Sequence, residues 1–181
     1  MNIEKVVTAS SAEVYQAPKI VPTPEDIELI VPSHSNPRYS YGLSKIFTEF
    51  YSVHYGASKG ISVSSFRPHN VFGPDMGLQH VIPQFIMEFL RQIDGEDEVR
   101  IETKGSLDAV RAFCYVDDIV RGLILLSEKN SGVNVYNIGN TQRVTMNGLL
   151  SEIGKVMKCD FTVSEGRDEH IGGSMLRCPD I

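Results

Sequence analysis

Short runs of strand-forming residues alternate along this chain with longer stretches whose apolar residues recur at helical spacing. Lys5-Val6-Val7-Thr8 predicts a buried strand over residues 4–9. Ser40 is placed to N-cap a helix running to about residue 58, with Ile46, Phe47, Phe50 and Val53 on its apolar side. Gly60 stops that helix, and residues 61–66 then alternate apolar and polar as a strand does. A second helix is predicted from Ile82, Phe85, Ile86, Phe89 and Leu90, with Pro83 tolerated in its first turn. Residues 99–102 and 112–116 read as short strands, and a helix with acids at its positive end starts at Asp117. Residues 133–138 form a further strand. The last helix runs from Met146 to Met157 behind Thr145, where Gly148 takes the place of the Glu or Gln that would complete a capping box. Strands alternating with helices predict an α/β fold.

Two interruptions break the alternation. Pro18, Pro22, Pro24, Pro32 and Pro37 punctuate a long polar stretch that cannot be a regular element. Residues 67–79 form a second loop around Gly73-Pro74-Asp75. Loops of this length in compact domains are often functional. From about Ser164 the hydrophobic pattern fades, and a poorly ordered tail is expected.

Composition then narrows the class. With 41% hydrophobic and 22% charged residues, the 181-residue chain can bury a core, which excludes a disordered or collagen-like polymer. It has no apolar run long enough to span a bilayer, and its first residues lack the basic start and apolar stretch of a secretion signal. A net charge of −6 argues against a nucleic-acid partner, which would call for a basic stripe. Cys114, Cys159 and Cys178 are odd in number and widely spaced, so reduced thiols in a cytoplasmic protein are expected. Neither they nor His34, His54, His80 and His170 show metal-ligand spacing, and no metal is expected.

Tyr41-Gly42-Leu43-Ser44-Lys45 places a phenol and an ammonium on one helical face. An ammonium beside a phenol favours the phenolate, the form that serves as a general base. Tyr55-Gly56-Ala57-Ser58-Lys59 repeats the spacing, but Lys59 stands at the helix end, where a solvated cation is the simpler reading. Tyr41 stands at the helix start, between the two long loops.

Five motifs in order carry a family resemblance. They are Ser10-Ser11-Ala12-Glu13-Val14-Tyr15 after a strand, Tyr41 with Lys45 on the next helix, and Arg67-Pro68-His69-Asn70-Val71-Phe72-Gly73-Pro74 after the next strand. Arg111-Ala112-Phe113-Cys114-Tyr115-Val116-Asp117-Asp118 and Val135-Tyr136-Asn137-Ile138-Gly139 follow. Together they resemble the extended short-chain dehydrogenase/reductase family, and within it the NAD-dependent nucleotide-sugar epimerases and dehydratases of the UDP-glucose 4-epimerase kind.

The resemblance implies a partial Rossmann fold, a doubly wound parallel sheet, with a smaller C-terminal substrate-binding α/β part. It divides the chain at about residues 1–72, the later half of the NAD-binding domain, and 73–181, mainly substrate-binding. It implies that Ser11 hydrogen-bonds the sugar hydroxyl, that Tyr41 is the base, and that Lys45 holds the nicotinamide ribose. Ser10 and Pro68 then border the NAD cofactor, and Asn70 and Arg111 contact the substrate diphosphate, for which a guanidinium fork is well suited. His69 replaces the family's more usual Phe. Glu13 resembles the glutamate of family dehydratases and of UDP-glucuronate decarboxylases, but Ala12 replaces the dehydratases' second acid.

The resemblance therefore favours a C4 epimerase acting on a nucleotide-diphosphate sugar, with a 4,6-dehydratase or a decarboxylase as the alternative. A non-catalytic binding module of the same fold is the alternative from another class. A homodimer is implied, because relatives pair through helices that include the tyrosine helix. None of the 15 glycines forms the G-x-x-G-x-x-G turn that opens such a domain, and the first strand resembles the fifth of the family's sheet. A fragment lacking the N-terminal half, inactive by itself, is expected.

Overall fold

Parallel strands gather in two places in the computed structural model, which describes residues 3–31, 33, 37, 39–93, 99–129, 131–166 and 174–181. In the first, β1 (Lys5–Ala9), β2 (Ser62–Pro68) and β7 (Val133–Ile138) form an all-parallel sheet with β2 in the centre. Lys5 pairs with Ser62 and Ala9 with Phe66, while Val63 pairs with Val133 and Pro68 with Ile138. Helix α1 (Tyr39–Lys59) packs on β2, and α3 (Val116–Lys129) lies against β1 and β2. Strand period two places them on opposite faces. Val63 and Arg67 meet Gly56 and Glu49 of α1, whereas Ile138, level with Pro68, meets Gly122 of α3. Lys5 caps α3, its Nζ donating to the carbonyls of Ser127 and Glu128 at 3.1 and 3.0 Å.

Covering both faces explains why residues 63–67 are all buried although their sequence alternates. β1, expected to be buried, is only half-buried because it forms the sheet's edge among the described residues.

The second gathering pairs β4 (Val99–Thr103) with β9 (Phe161–Glu165), parallel from Val99–Phe161 to Thr103–Glu165. Helices α2 (Val81–Ile93) and α4 (Met146–Met157) close over it, and Phe89, Val99, Ile101, Leu150 and Ile153 form its core. Thr145 caps α4 as expected, its Oγ1 accepting from the Gly148 N–H at 2.9 Å.

Between the two lie β3 (Val71–Phe72) paired with β6 (Cys114–Tyr115), and a small sheet in the order β10 (Leu176–Arg177), β5 (Val110–Ala112), β8 (Arg143–Thr145).

Four expectations need correction. Ser40 lies inside α1, not ahead of it, with its hydroxyl donating to the Pro37 carbonyl at 2.8 Å. Phe47 and Phe50 point outward, 68% and 55% exposed, and the buried face of α1 is Gly42, Ile46, Glu49 and Gly56. The strand expected at residues 112–116 is two short strands broken at Phe113, and Val116 already opens α3. Finally, the tail is anchored. β9 runs to Glu165, β10 pairs with β5, Pro179 bridges to Thr23, and Cys178 and Pro179 are buried; residues 167–173 of that expected tail lie outside the described residues. Backbone pairing orders this segment, which an apolar period does not report. Among the described residues no helix is long and apolar enough to cross a membrane.

Candidate active site

Ser10 and Ser11 follow directly on β1, at the carboxyl end of a parallel sheet, where open α/β folds hold their ligands. The Ser10 N–H donates to the Phe66 carbonyl at 2.8 Å, which continues the β1–β2 pairing past the strand end. Its Oγ is buried with no hydrogen-bond partner among the described residues. Ser11 N-caps a single 3-10 turn, Ala12–Tyr15, its Oγ accepting from the Glu13 N–H at 3.2 Å.

The start of α1 lies against this turn because residue 42 is glycine. A Cβ there would stand 2.4 Å from Gln16 Nε2 and 3.0 Å from the Glu13 carbonyl oxygen, so a side chain would displace the Gln16 amide and crowd the turn. Tyr41 is half-exposed, and the Lys45 ammonium lies 5.6 Å from its ring centroid. Lys59 lies at 5.8 Å from the Tyr55 ring, so that geometry does not separate the two pairs. The second contact of Lys45 does: its Nζ donates to the Ala9 carbonyl at 3.1 Å, tying the Tyr41 helix to the residue before Ser10.

Glu13 forms an ion pair with Arg177 of β10, its Oε1 on Nη1 and its Oε2 3.5 Å from Nη2. Thus the tail, expected to be poorly ordered, reaches the candidate site. Pro68 ends β2 opposite Ile138. Asn70, two residues on, takes a positive φ of 37°, a conformation asparagine tolerates. Its Nδ2 donates to the Ala112 carbonyl at 3.0 Å, which holds the β5–β6 connection. Asn70 and Arg111 line a cavity of about 620 Å³ together with Phe85, Lys104, Phe113 and Met175. The expected residues thus form two groups, Ser10, Ser11, Glu13, Tyr41 and Lys45 around the turn, and Asn70 and Arg111 at the cavity, with Pro68 at the end of β2.

Beneath the turn lies a polar core that the sequence pattern does not single out. Arg67 and Glu49 form a buried ion pair, with Arg67 Nε donating to Glu49 Oε2 at 3.1 Å. Arg67 Nη1 donates to the Tyr15 hydroxyl at 2.7 Å and to the Glu25 carbonyl at 2.8 Å. The Tyr15 hydroxyl donates to Asn137 Oδ1 at 2.8 Å. Asn137 Nδ2 donates to the carbonyls of Thr23 and Asp180, so Oδ1 must be the acceptor facing His69. His69 Nε2, 3.1 Å from that oxygen, therefore carries the proton, and Nδ1 is buried without a partner among the described residues. Burial, with lesser repulsion from Arg177 and Arg67, lowers the His69 pKa to about 4 despite the Asn137 bond and Glu25. Burial also pushes the Tyr15 phenol above its ordinary value, against the pull of Arg67.

The sequence model of the NAD dependent epimerase/dehydratase family matches residues 1–139, and the chain belongs to that family. It is 34% identical over 143 residues to UDP-glucuronic acid decarboxylase 1 of Xenopus tropicalis, covering 76% of this chain and 31% of that protein. Its structure resembles UDP-N-acetylglucosamine 4-epimerase from Methanobrevibacter ruminantium M1, with a TM-score of 0.83 and 29% identity over 99% of this chain and 55% of that one. It also resembles MoeE5 in complex with UDP-glucuronic acid and NAD, with a TM-score of 0.80 and 28% identity over 98% of this chain and 56% of the other. The chain spans about half the length of these structural relatives. The likeness thus reaches relatives named for epimerisation and for decarboxylation alike.

Proposed function

We propose that this chain carries the catalytic portion of an NAD-dependent nucleotide-sugar epimerase acting at C4 through a transient 4-keto sugar. One observation carries the reading: the Lys45 ammonium sits beside the Tyr41 ring and on the carbonyl that precedes the Ser10-Ser11 turn. A phenol with a cation beside it and the Ser10-Ser11 turn then stand at the carboxyl end of the sheet, where they would serve as base, cofactor-holding cation and hydroxyl-binding group. Ser11 would hold the C4 hydroxyl and Tyr41 would accept its proton, returning it when the other face of the ketone is reduced.

The residues fit NAD. Ser10 offers a buried hydroxyl lacking a partner among the described residues, Lys45 stands next to it on the Ala9 carbonyl, and Pro68 ends the adjacent strand. When bound, NAD supplies the oxidation of the sugar carbon and its reversal. Asn70 and Arg111 at the 620 Å³ cavity would hold the sugar nucleotide by its diphosphate. The ion pair with Arg177 occupies the Glu13 carboxylate, which favours epimerisation over an elimination that needs this group as a base.

The same reading divides the chain at about residue 72 into NAD-binding and mainly substrate-binding parts. It assigns a cytoplasmic location, and a homodimer formed through the outward Phe47, Phe50 and Tyr51 of α1.

The test is product analysis with NAD and UDP-glucose, UDP-N-acetylglucosamine or UDP-glucuronate, on this chain and on a longer protein that contains it. An inverted C4 hydroxyl is expected from the longer protein, and no turnover from this chain alone. A stable keto-deoxy sugar or released carbon dioxide would replace the epimerase with a dehydratase or a decarboxylase. Tyr41→Phe is expected to lower the rate at least about a hundredfold, the scale of a lost general base. Unchanged nucleotide-sugar binding without turnover in either form would point to a binding module.

A further inference from the structure

We propose that Tyr15 and Arg67 are positioning residues: one buried guanidinium, with a phenol held on it, fixes the Ser11 turn against the helix that carries Tyr41 and Lys45. The proposal rests on the functional reading above.

Three elements bear the residues of the turn group and its border, namely the 3-10 turn, α1 and β2, and Arg67 touches all three. It belongs to β2, immediately before Pro68. Its Nε and Nη2 bind Glu49, two turns along α1 from Tyr41. Its Nη1 binds the Tyr15 hydroxyl, and its guanidinium carbon lies 4.8 Å from the Tyr15 ring centroid. Tyr15 closes the four-residue turn that Ser11 caps, and the Val14 N–H donates to the Ser11 carbonyl at 3.1 Å, so fixing one end fixes the other. Asn137 of β7 holds the phenol from the far side. The Lys45–Ala9 bond is a second clasp, joining α1 to the chain on the other side of Ser11.

Orientation accounts for charge in this place. Arg67 and Glu49 side chains are only 3% and 5% exposed, and taking such a pair out of water costs several kcal/mol per ion before their attraction offsets it. Apolar side chains of equal volume would hold helix to strand as firmly. They would not fix direction, which a forked guanidinium does through bonds at set angles.

A double-mutant cycle tests this. Rates are measured for Ser11→Ala, Tyr15→Phe and the combined variant, with NAD and whichever of UDP-glucose, UDP-N-acetylglucosamine or UDP-glucuronate is turned over, in a protein containing this chain. Tyr15→Phe is expected to lower kcat about tenfold with KM held within about twofold, and in the Ser11→Ala background its effect should shrink below about twofold. Full kcat in Tyr15→Phe, or losses that simply multiply, overturns the proposal. Should Tyr15→Phe not fold, Arg67→Lys takes its place in the cycle, since lysine keeps the charge but not the fork. Full kcat or multiplying losses in that variant overturn the proposal in the same way. Wild-type kcat in Ser11→Ala removes the functional reading and this proposal with it. A slow Ser11→Ala with multiplying losses removes the positioning role alone.

Discussion

The two halves of this molecule are built around different kinds of interior. Around β4 and β9 the core is apolar, with Phe89, Val99, Ile101, Leu150 and Ile153 packed under two helices. Under the sheet of β1, β2 and β7 the buried residues Val14, Tyr15 and Ile46 make a small apolar cluster among the described residues, and the centre is Glu49, Arg67, Tyr15, His69 and Asn137. Meanwhile Phe47, Phe50, Tyr51, Val120, Ile124 and Leu125 of α1 and α3 face outward. Apolar packing holds a shape without prescribing direction, whereas a bonded polar core prescribes direction through the angles of its bonds. The candidate catalytic residues stand over the second kind.

Paired substitutions should separate the two interiors by the largest margin. In the apolar half, Phe89→Ala and Leu150→Ala are each expected to cost about 3–5 kcal/mol, with the double variant worse than either. In the polar half, Arg67→Met should cost about 3–5 kcal/mol, because Glu49 is left buried and alone. Adding Glu49→Leu to Arg67→Met should recover much of that loss. Urea unfolding followed by circular dichroism reads all of these. A double polar variant weaker than Arg67→Met alone would show that the two interiors obey one rule.

Acid separates the halves next. The unfolded chain takes up a proton at His69 below about pH 6.5, while the folded form refuses it until about pH 4. The unfolded state therefore binds more protons in that window, and stability present above pH 6.5 falls as pH drops towards 4. The group accounts for about 3 kcal/mol on this basis. His69→Phe should remove that part of the acid sensitivity. An unchanged slope in the variant would place it elsewhere.

The smallest effects belong to the outward face of α1. Phe47→Ser and Tyr51→Ser are expected to shift unfolding by less than about 0.5 kcal/mol, since both rings are exposed. Sedimentation should instead show weakened self-association, if the face pairs as proposed. A loss of several kcal/mol would mean that these rings are packed in a core.

Much of this was legible along the chain. The helices over residues 81–93, 116–129 and 146–157 and the strands over residues 5–9, 62–68 and 133–138 follow their apolar periods closely. Apolar identity misled on α1, where the rings face out and Glu49 faces in, because partners across space decide which face of a helix is covered. Arg67, Tyr15 and Asn137 all stood within recognised motifs, yet an arginine ending a strand reads as solvated until a carboxylate is known to meet it. Gly42 carried a usable signal, a residue without a side chain beside the tyrosine of the pair.

The order of strands and helices, the Tyr41–Lys45 spacing and the Thr145 cap are readable along the chain because each depends on neighbours a few residues apart, and the family because five such local motifs keep their order. The pairing of Glu49 with Arg67, the gathering of Tyr15, His69, Thr23 and Asp180 by Asn137, and the reach of Arg177 to Glu13 come from the folded arrangement alone. Those contacts join residues up to 164 positions apart. Their bonds are directional and form only once the fold brings distant residues together, so no local pattern in the chain encodes them.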